Sequence, residues 1–157
     1  MHHFENTTES GDSDINFNSQ FARDVYDGLT NSPKWLSSKY FYDTKGDAIF
    51  QEIMEMDSYY LTRAESDIFI DNKENILSQL KGISPVKIFE LGAGDGKKTR
   101  ILLSHFDREG LDFNYNPIDI SANVLEILKT YMLKSIPDLM IKTLQGDYFK
   151  RLGEISK

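Results

Sequence analysis

The chain has 157 residues, 39% of them hydrophobic, and its 18 Lys and Arg against 25 Asp and Glu give a formal net charge of −7. This length and apolar content predict one globular domain with a real core. The acidic balance argues against nucleic acid as a partner, because a phosphate-backbone binder needs a dense basic footprint. Cysteine is absent and two of the three histidines stand at positions 2 and 3, so we expect no disulfide and no metal site. Neither an apolar stretch of about 20 residues nor a signal-peptide pattern is present, so we expect a cytoplasmic protein without a membrane partner.

The first half of the chain has the pattern of helices. Residues 1–16 are polar, acidic and without periodicity, which predicts a disordered leader. Residues 17–82 form the predicted N-terminal helical region, part of a cover over substrate and cofactor, with a short helix over residues 47–56. Thr62 and Glu65 fit a capping box, in which each side chain satisfies a backbone donor at the start of a helix.

Residues 83–157 alternate between strand and helix patterns, which is typical of a parallel sheet. The predicted strands are Val86–Leu91, Phe113–Ile118 and Leu139–Leu144. They make half of a doubly wound sheet, so the first strand should be an edge with an uncovered face. We therefore expect an apparently truncated domain that needs a C-terminal half or a partner chain.

A glycine-rich turn follows the first predicted strand. Gly92, Gly94 and Gly96 alternate with other residues, and a helix pattern begins directly afterwards. Glycines let the backbone approach a ligand closely, and a helix N-terminus offers free N–H groups. The dinucleotide fingerprint would require glycine where Lys97 stands, so the spacing favours S-adenosylmethionine (SAM) over NAD. Tight packing of the turn remains an alternative reason for the glycines.

Two carboxylates follow the second and third predicted strands. Asp119 can accept both hydroxyls of a ribose, and Asp147 can hold an adenine amino group. Each has another explanation, since Asp119 could anchor the next helix at Ser121 and Asp147 could belong to an ordinary turn. Because the carboxyl ends of parallel strands meet at one edge of the sheet, the two together predict an adenosine site.

The residues offer no evident catalytic base. Ser104 and His105 are adjacent on a predicted helix, so their side chains point in different directions and form no part of a catalytic triad. We expect His105 to be a partly exposed residue at the helix end.

Eight short segments of the chain carry a family resemblance. They are Phe21–Val25, Gly28–Thr30, Lys39–Asp43, Phe50–Ile53, Tyr59–Glu65, Glu90–Gly94, Lys98–Arg100 and Asp119–Ser121. With them, residues 20–151 resemble the N-terminal half of the SAM-dependent histidine Nα-methyltransferases of the ergothioneine route. The Tyr-Tyr-x-Thr-Arg-x-Glu segment over 59–65 is the most specific, because generic methyltransferases lack it.

The resemblance implies an α/β fold, with a helical region followed by an incomplete Rossmann-like methyltransferase sheet. It also implies roles for nine residues by position. Gly92 and Gly94 would line the methionine and ribose of SAM, Lys98 would lie beside the cofactor, Asp119 would bind the ribose, Asp147 and then Tyr148 would meet the adenine, Tyr59 would close over SAM, and Tyr42 and Phe50 would face the substrate.

The expected function is SAM-dependent N-methylation of a small amino-acid amine, with the histidine α-amino group first. Relatives that share this half also methylate other amines, including an indole-derived amino acid in fungi. Two alternatives stay open: a truncated or split SAM-binding module without catalysis, and a nicotinamide-dependent oxidoreductase.

Overall fold

A computed structural model describes residues 17–155, so the predicted leader over residues 1–16 lies outside the described residues. The chain divides into two compact units, the first ending at Ser38 and the second beginning at Lys39. The helices and strands are α1 (Gln20–Thr30), a 3-10 helix (Ser38–Phe41), α2 (Thr44–Glu55), α3 (Leu61–Leu80), β1 (Val86–Leu91), α4 (Thr99–Arg108), β2 (Phe113–Asp119), α5 (Ala122–Ser135), β3 (Met140–Ile141), β4 (Leu144–Gln145) and α6 (Tyr148–Ile155). Within residues 17–155, none of the helices is long and apolar enough to cross a membrane.

The first unit is a helix with a returning segment. The Ser19 side chain caps α1 by accepting a hydrogen bond from the Ala22 N–H at 3.1 Å. After the helix, the Trp35 N–H donates to the Gly28 carbonyl at 3.0 Å. A Cβ at Gly28 would lie 2.1 Å from the Trp35 carbonyl oxygen, so this return requires glycine at position 28.

The second unit is built on a parallel sheet in the order β1-β2-β3, with β4 also paired to β2. β1 and β2 pair in parallel along the whole of β1, from Val86 opposite Phe113 to Leu91 opposite Ile118. Among the described residues β1 has β2 as its strand partner, so it lies at an edge of the sheet, as predicted.

The predicted third strand is two short strands instead of one. The Tyr115 carbonyl accepts from Lys142 and the Asp119 carbonyl accepts from Gly146, so odd-numbered residues of β2 direct their backbone toward β3 and β4. Pro117 lies between those two positions and has no N–H to donate. The ladder is therefore interrupted there, and the third strand divides into β3 and β4.

The core lies on one face of the sheet, beneath α3, α4 and α5. Its largest buried side chains include Tyr115 of β2, Leu103 and Phe106 of α4, and Leu128 and Met132 of α5. Burial of this kind is the main stabilising contribution to a fold of this size.

The opposite face of the sheet is only partly covered in the described chain, because α6 packs against β2 there while the face of β1 and β3 stays open. Phe89 and Leu91 of β1 are 36% and 47% exposed, and Met140 of β3 is 68% exposed. A parallel sheet is ordinarily buried on both faces, so these apolar side chains are more exposed than is usual for such a sheet.

Two helix starts differ from the predictions. The Asp43 carboxylate accepts from the Gly46 N–H at 2.8 Å and caps α2, so this helix begins at Thr44 instead of residue 47. The capping box is wrong, because α3 begins at Leu61 and Thr62 already lies inside it. Glu65 pairs with Lys98 instead, a contact between distant parts of the chain.

The expectation for His105 is also wrong. Its side chain is buried, and its Nε2 lies 3.3 Å from a carboxylate oxygen of Glu74 on α3. Because α3 packs along α4, the last turns of α4 are interior on that side and not at the surface.

Candidate functional site

The glycine loop between β1 and α4 faces open space at two positions. Gly92 and Gly94 have φ angles of 65° and 58°, and a Cβ built on either would have no atom within 4 Å. The Gly92 N–H donates to the Ile118 carbonyl at 2.8 Å, which joins the loop to the end of β2. These two glycines are therefore not required by packing, and the free space above them fits a ligand that approaches the backbone.

Gly96 is different, although it belongs to the same loop. A Cβ there would lie 2.8 Å from the Met132 Cε and 2.9 Å from the Leu128 Cγ, both on α5. The packing explanation applies to Gly96, and only Gly92 and Gly94 among the three have the geometry of a cofactor cradle.

Asp119 connects this loop to the start of α5. One carboxylate oxygen accepts from the Gly94 N–H at 3.1 Å, and the other accepts from the Ser121 N–H at 3.0 Å. The contact to Ser121 is the helix anchor considered from the sequence. Each carboxylate oxygen can accept a second hydrogen bond, so the half-buried group can also receive two hydroxyls.

Glu90 supports the site from beneath and was missed among the sequence-predicted residues. The Thr99 hydroxyl donates to one of its carboxylate oxygens and the Tyr115 hydroxyl to the other. Burial raises the pKa of Glu90, and these two hydrogen bonds oppose that rise. Burial, followed by the charge of Glu90, also raises the pKa of Tyr115. The available signal was a carboxylate on a buried strand directly before a glycine loop.

Lys98 lies where the loop enters α4, and its ammonium forms an ion pair with Glu65 of α3. The pair brings the Tyr59–Glu65 segment, the most specific part of the sequence, to the glycine loop. The two side chains are 35% and 52% exposed. Exposed pairs contribute at most about 1 kcal/mol, so a ligand carboxylate can compete with Glu65 for this ammonium.

Asp147 and Tyr148 follow β4 at the same edge of the sheet. The Asp147 carboxylate accepts from the Lys150 N–H at 3.2 Å at the start of α6, as the ordinary-turn explanation would have it. The Tyr148 ring lies 4.7 Å from the Phe149 ring, and both rings are exposed. Contact of Asp147 and Tyr148 with adenine stays a prediction.

Three aromatic side chains predicted to face substrate and cofactor form one cluster. The Phe50 ring is central, with Tyr42 at 6.1 Å and Tyr59 at 6.3 Å between ring centroids, both nearly perpendicular to it. A cavity of about 410 Å³ lies beside Tyr42 and Phe50. Aromatic faces attract cations such as a sulfonium or an ammonium.

Within residues 17–155, no group of three or more His, Cys, Asp or Glu side chains is arranged so that it could hold a metal ion.

Comparisons with known proteins agree on one family. A family profile described as histidine-specific, SAM-dependent methyltransferase matches residues 21–157. The histidine N-alpha-methyltransferase of Mycobacterium tuberculosis is 36% identical over 135 residues, which cover 86% of this chain and 41% of that protein. The same-named protein of Mycolicibacterium smegmatis is 35% identical, covering 85% of this chain and 40% of that protein. Ergothioneine biosynthesis protein 1 of Schizosaccharomyces pombe is 35% identical over 92 residues, which cover 58% of this chain and 12% of that protein. The chain thus spans about two fifths of the length of the two bacterial relatives.

Proposed function

The chain belongs to the histidine-specific, SAM-dependent methyltransferases, and from this membership we propose that it is the cofactor-binding part of an amino-acid N-methyltransferase. The favoured substrate is the histidine α-amino group, as the names of the bacterial relatives suggest. The observation that carries the proposal is the Asp119 carboxylate, which bridges the Gly94 and Ser121 N–H groups beside an open glycine loop.

The proposed cofactor site uses the edge of the sheet at which β1 and β2 end. The open space over Gly92 and Gly94 would take the methionine and ribose part, and Asp119 would accept the ribose hydroxyls. Lys98 would exchange Glu65 for the cofactor carboxylate, and Asp147 with Tyr148 would meet the adenine. When bound, SAM supplies a methyl group activated by a sulfonium.

The aromatic cluster would do the remaining positioning. Tyr42 and Phe50 would face the amine, and Tyr59 would cover the cofactor. Methyl transfer requires an unprotonated amine held in line with the methyl group and shielded from water. Three packed rings next to a cavity can exclude water and stabilise a cation without supplying a base.

We further propose that the open part of this sheet face, beside α6, binds the rest of the fold, a polypeptide equivalent to the part of the bacterial relatives that this chain does not match. Support comes from the exposed Phe89, Leu91 and Met140, and from a groove of about 590 Å³ on the same face. In this proposal residues 17–82 cover the site, residues 83–157 are the first half of the Rossmann-like domain, and the complete protein works in the cytoplasm.

Titration calorimetry of the chain with S-adenosylhomocysteine (SAH) and with NAD tests the cofactor. We expect SAH to bind and NAD to give no heat at the same concentrations, and the opposite result would overturn the proposal. A methylation assay of the chain combined with the complementary polypeptide, against an amino-acid panel beginning with histidine, then tests the substrate. SAH binding without methyl transfer in that assay would identify a non-catalytic module.

A further inference from the structure

A buried carboxylate on α2 lies directly behind the proposed ribose site. Asp47 is 7% exposed, and one of its oxygens accepts from the Ser121 hydroxyl at 2.6 Å and from the Asn123 amide at 3.4 Å. Asp47 and Ser121 are 74 positions apart in the chain. Burying a carboxylate is unfavourable unless hydrogen bonds compensate it, so the position of α2 depends on these partners.

Ser121 links Asp47 to Asp119 through hydrogen bonds of its hydroxyl and its backbone N–H. Its single hydroxyl proton is committed to Asp47, so its lone pair turns toward the Val124 N–H, 3.2 Å away, and caps α5. Because the Ser121 hydroxyl both donates a hydrogen bond and accepts one, the residue is fixed, and its backbone N–H is held 3.0 Å from the Asp119 carboxylate. Linked hydrogen bonds of this kind polarise one another, and the helix N-terminus favours the negative charge on Asp47 and Asp119.

Helix α2, which carries Asp47, also carries Phe50, the central ring of the aromatic cluster. Phe50 follows Asp47 by one turn of α2, and its ring contacts Tyr42 and Tyr59. Asp47 therefore lies between the two parts of the proposed site, the turn that would bind the ribose and the rings that would face the amine.

We propose that Asp47 is a positioning residue that, through Ser121, holds the Asp119 carboxylate in the geometry that binds the cofactor ribose. The inference rests on the proposed function, because the ribose is assigned to Asp119 there. Asp47 touches neither ligand and acts through the hydrogen-bond series Asp47, Ser121, Asp119 and Gly94.

The test compares two ligands, SAH and its 2′-deoxy analogue, in calorimetric titrations of the full chain. We expect the wild type to bind SAH about tenfold more tightly than the analogue, as for the loss of one charge-assisted hydrogen bond. In Asp47→Ala this ratio should fall to about threefold or less, because Asp119 is no longer held. Asp47→Asn keeps an acceptor for the Ser121 hydroxyl and should restore most of the ratio.

If Asp47 had a purely structural role, Asp47→Ala would weaken the binding of both ligands by the same factor. The ratio of the affinities for SAH and for its 2′-deoxy analogue would then be unchanged. Circular dichroism checks folding, and Asp47→Leu, which keeps the branched shape of the side chain without its oxygens, replaces the alanine variant if that variant does not fold. Glu52→Ala is the matched control, an exposed carboxylate on the same helix that should change neither affinity.

The two proposals fail differently. A wild-type chain that does not bind SAH overturns the proposed function. SAH binding without preference over the 2′-deoxy analogue overturns the ribose assignment, and the role of Asp47 with it. A wild-type preference that Asp47→Ala leaves intact overturns the role of Asp47 alone.

Discussion

Replacing Asp119 by alanine should weaken SAH binding while the core of the second unit stays folded. In the structure each carboxylate oxygen already accepts one backbone N–H, from Gly94 or from Ser121. Each oxygen can accept one hydrogen bond more, so the group can receive two ribose hydroxyls.

The magnitude follows from those two bonds. Hydrogen bonds to a charged group contribute about 1.5–3 kcal/mol each, and because Asp119 is partly exposed we take about half of the combined loss, about 1.5–3 kcal/mol for the pair. This corresponds to an increase in the SAH dissociation constant of about 10-fold to about 150-fold. The variant also leaves the Gly94 and Ser121 N–H groups without their acceptor, which adds to the loss by loosening the loop.

Titration calorimetry with SAH measures the effect, and urea unfolding of the same samples checks that the fold persists. Asp138→Ala is the control, since this exposed carboxylate precedes β3 at the opposite edge of the sheet. An unchanged dissociation constant in a folded Asp119→Ala protein would refute the ribose role, and an equal loss in Asp138→Ala would point to a non-specific charge effect.

Three further predictions concern the glycine loop, the buried carboxylate of Glu90 and the open part of the sheet face. Gly94→Val should abolish SAH binding, because its branched side chain would occupy the open space at a φ of 58°, and retained binding by calorimetry would contradict the cradle. Burial raises the folded pKa of Glu90 above its usual 4.5, so its favourable contribution to stability is complete below pH 4.5 and is lost as the pH rises through the folded pKa. Glu90→Gln should remove this decline in the free energy of unfolding, measured by urea unfolding between about pH 4 and about pH 8. A variant whose free energy of unfolding falls with pH as steeply as that of the wild type would show that Glu90 does not cause the decline. Phe89→Ser should lower the free energy of unfolding of the isolated chain by about 1–3 kcal/mol, because most of the ring is buried, and should prevent co-purification of the folded variant with the complementary polypeptide, whereas normal co-purification would exclude this face as the docking surface.

The sheet was predictable where local pattern determines it. β1 matches its prediction at both ends and β2 extends one residue further, because both segments interleave apolar with polar residues between loops, a pattern typical of strands. The division of the third strand was not apparent from its own residues. Its cause is Pro117 on the neighbouring strand, and the effect depends on the register between strands.

The candidate site shows the same limit more clearly. Asp119 and the glycine loop could be located from sequence, because each lies at the carboxyl end of its own strand. The pairing of Asp47 with Ser121 could not, because no local pattern joins positions so distant in the chain. The capping box failed for a related reason, since Glu65 has a tertiary partner in Lys98 that competes with the local hydrogen bond.

The Ser121–Asp47 and Lys98–Glu65 contacts join the helices α2 and α3 to the cofactor edge of the sheet, and they differ in strength. The Lys98–Glu65 pair is exposed to solvent, so exchanging Glu65 for a ligand carboxylate costs little. Separating Asp47 from Ser121 would leave a buried charge without its best partner, which is much less favourable. The first turn of α3 can therefore adjust to a ligand while α2 stays fixed. Since Phe50 lies on α2, the central ring of the aromatic cluster keeps its distance from the Asp119 turn as the loop side of the site adapts.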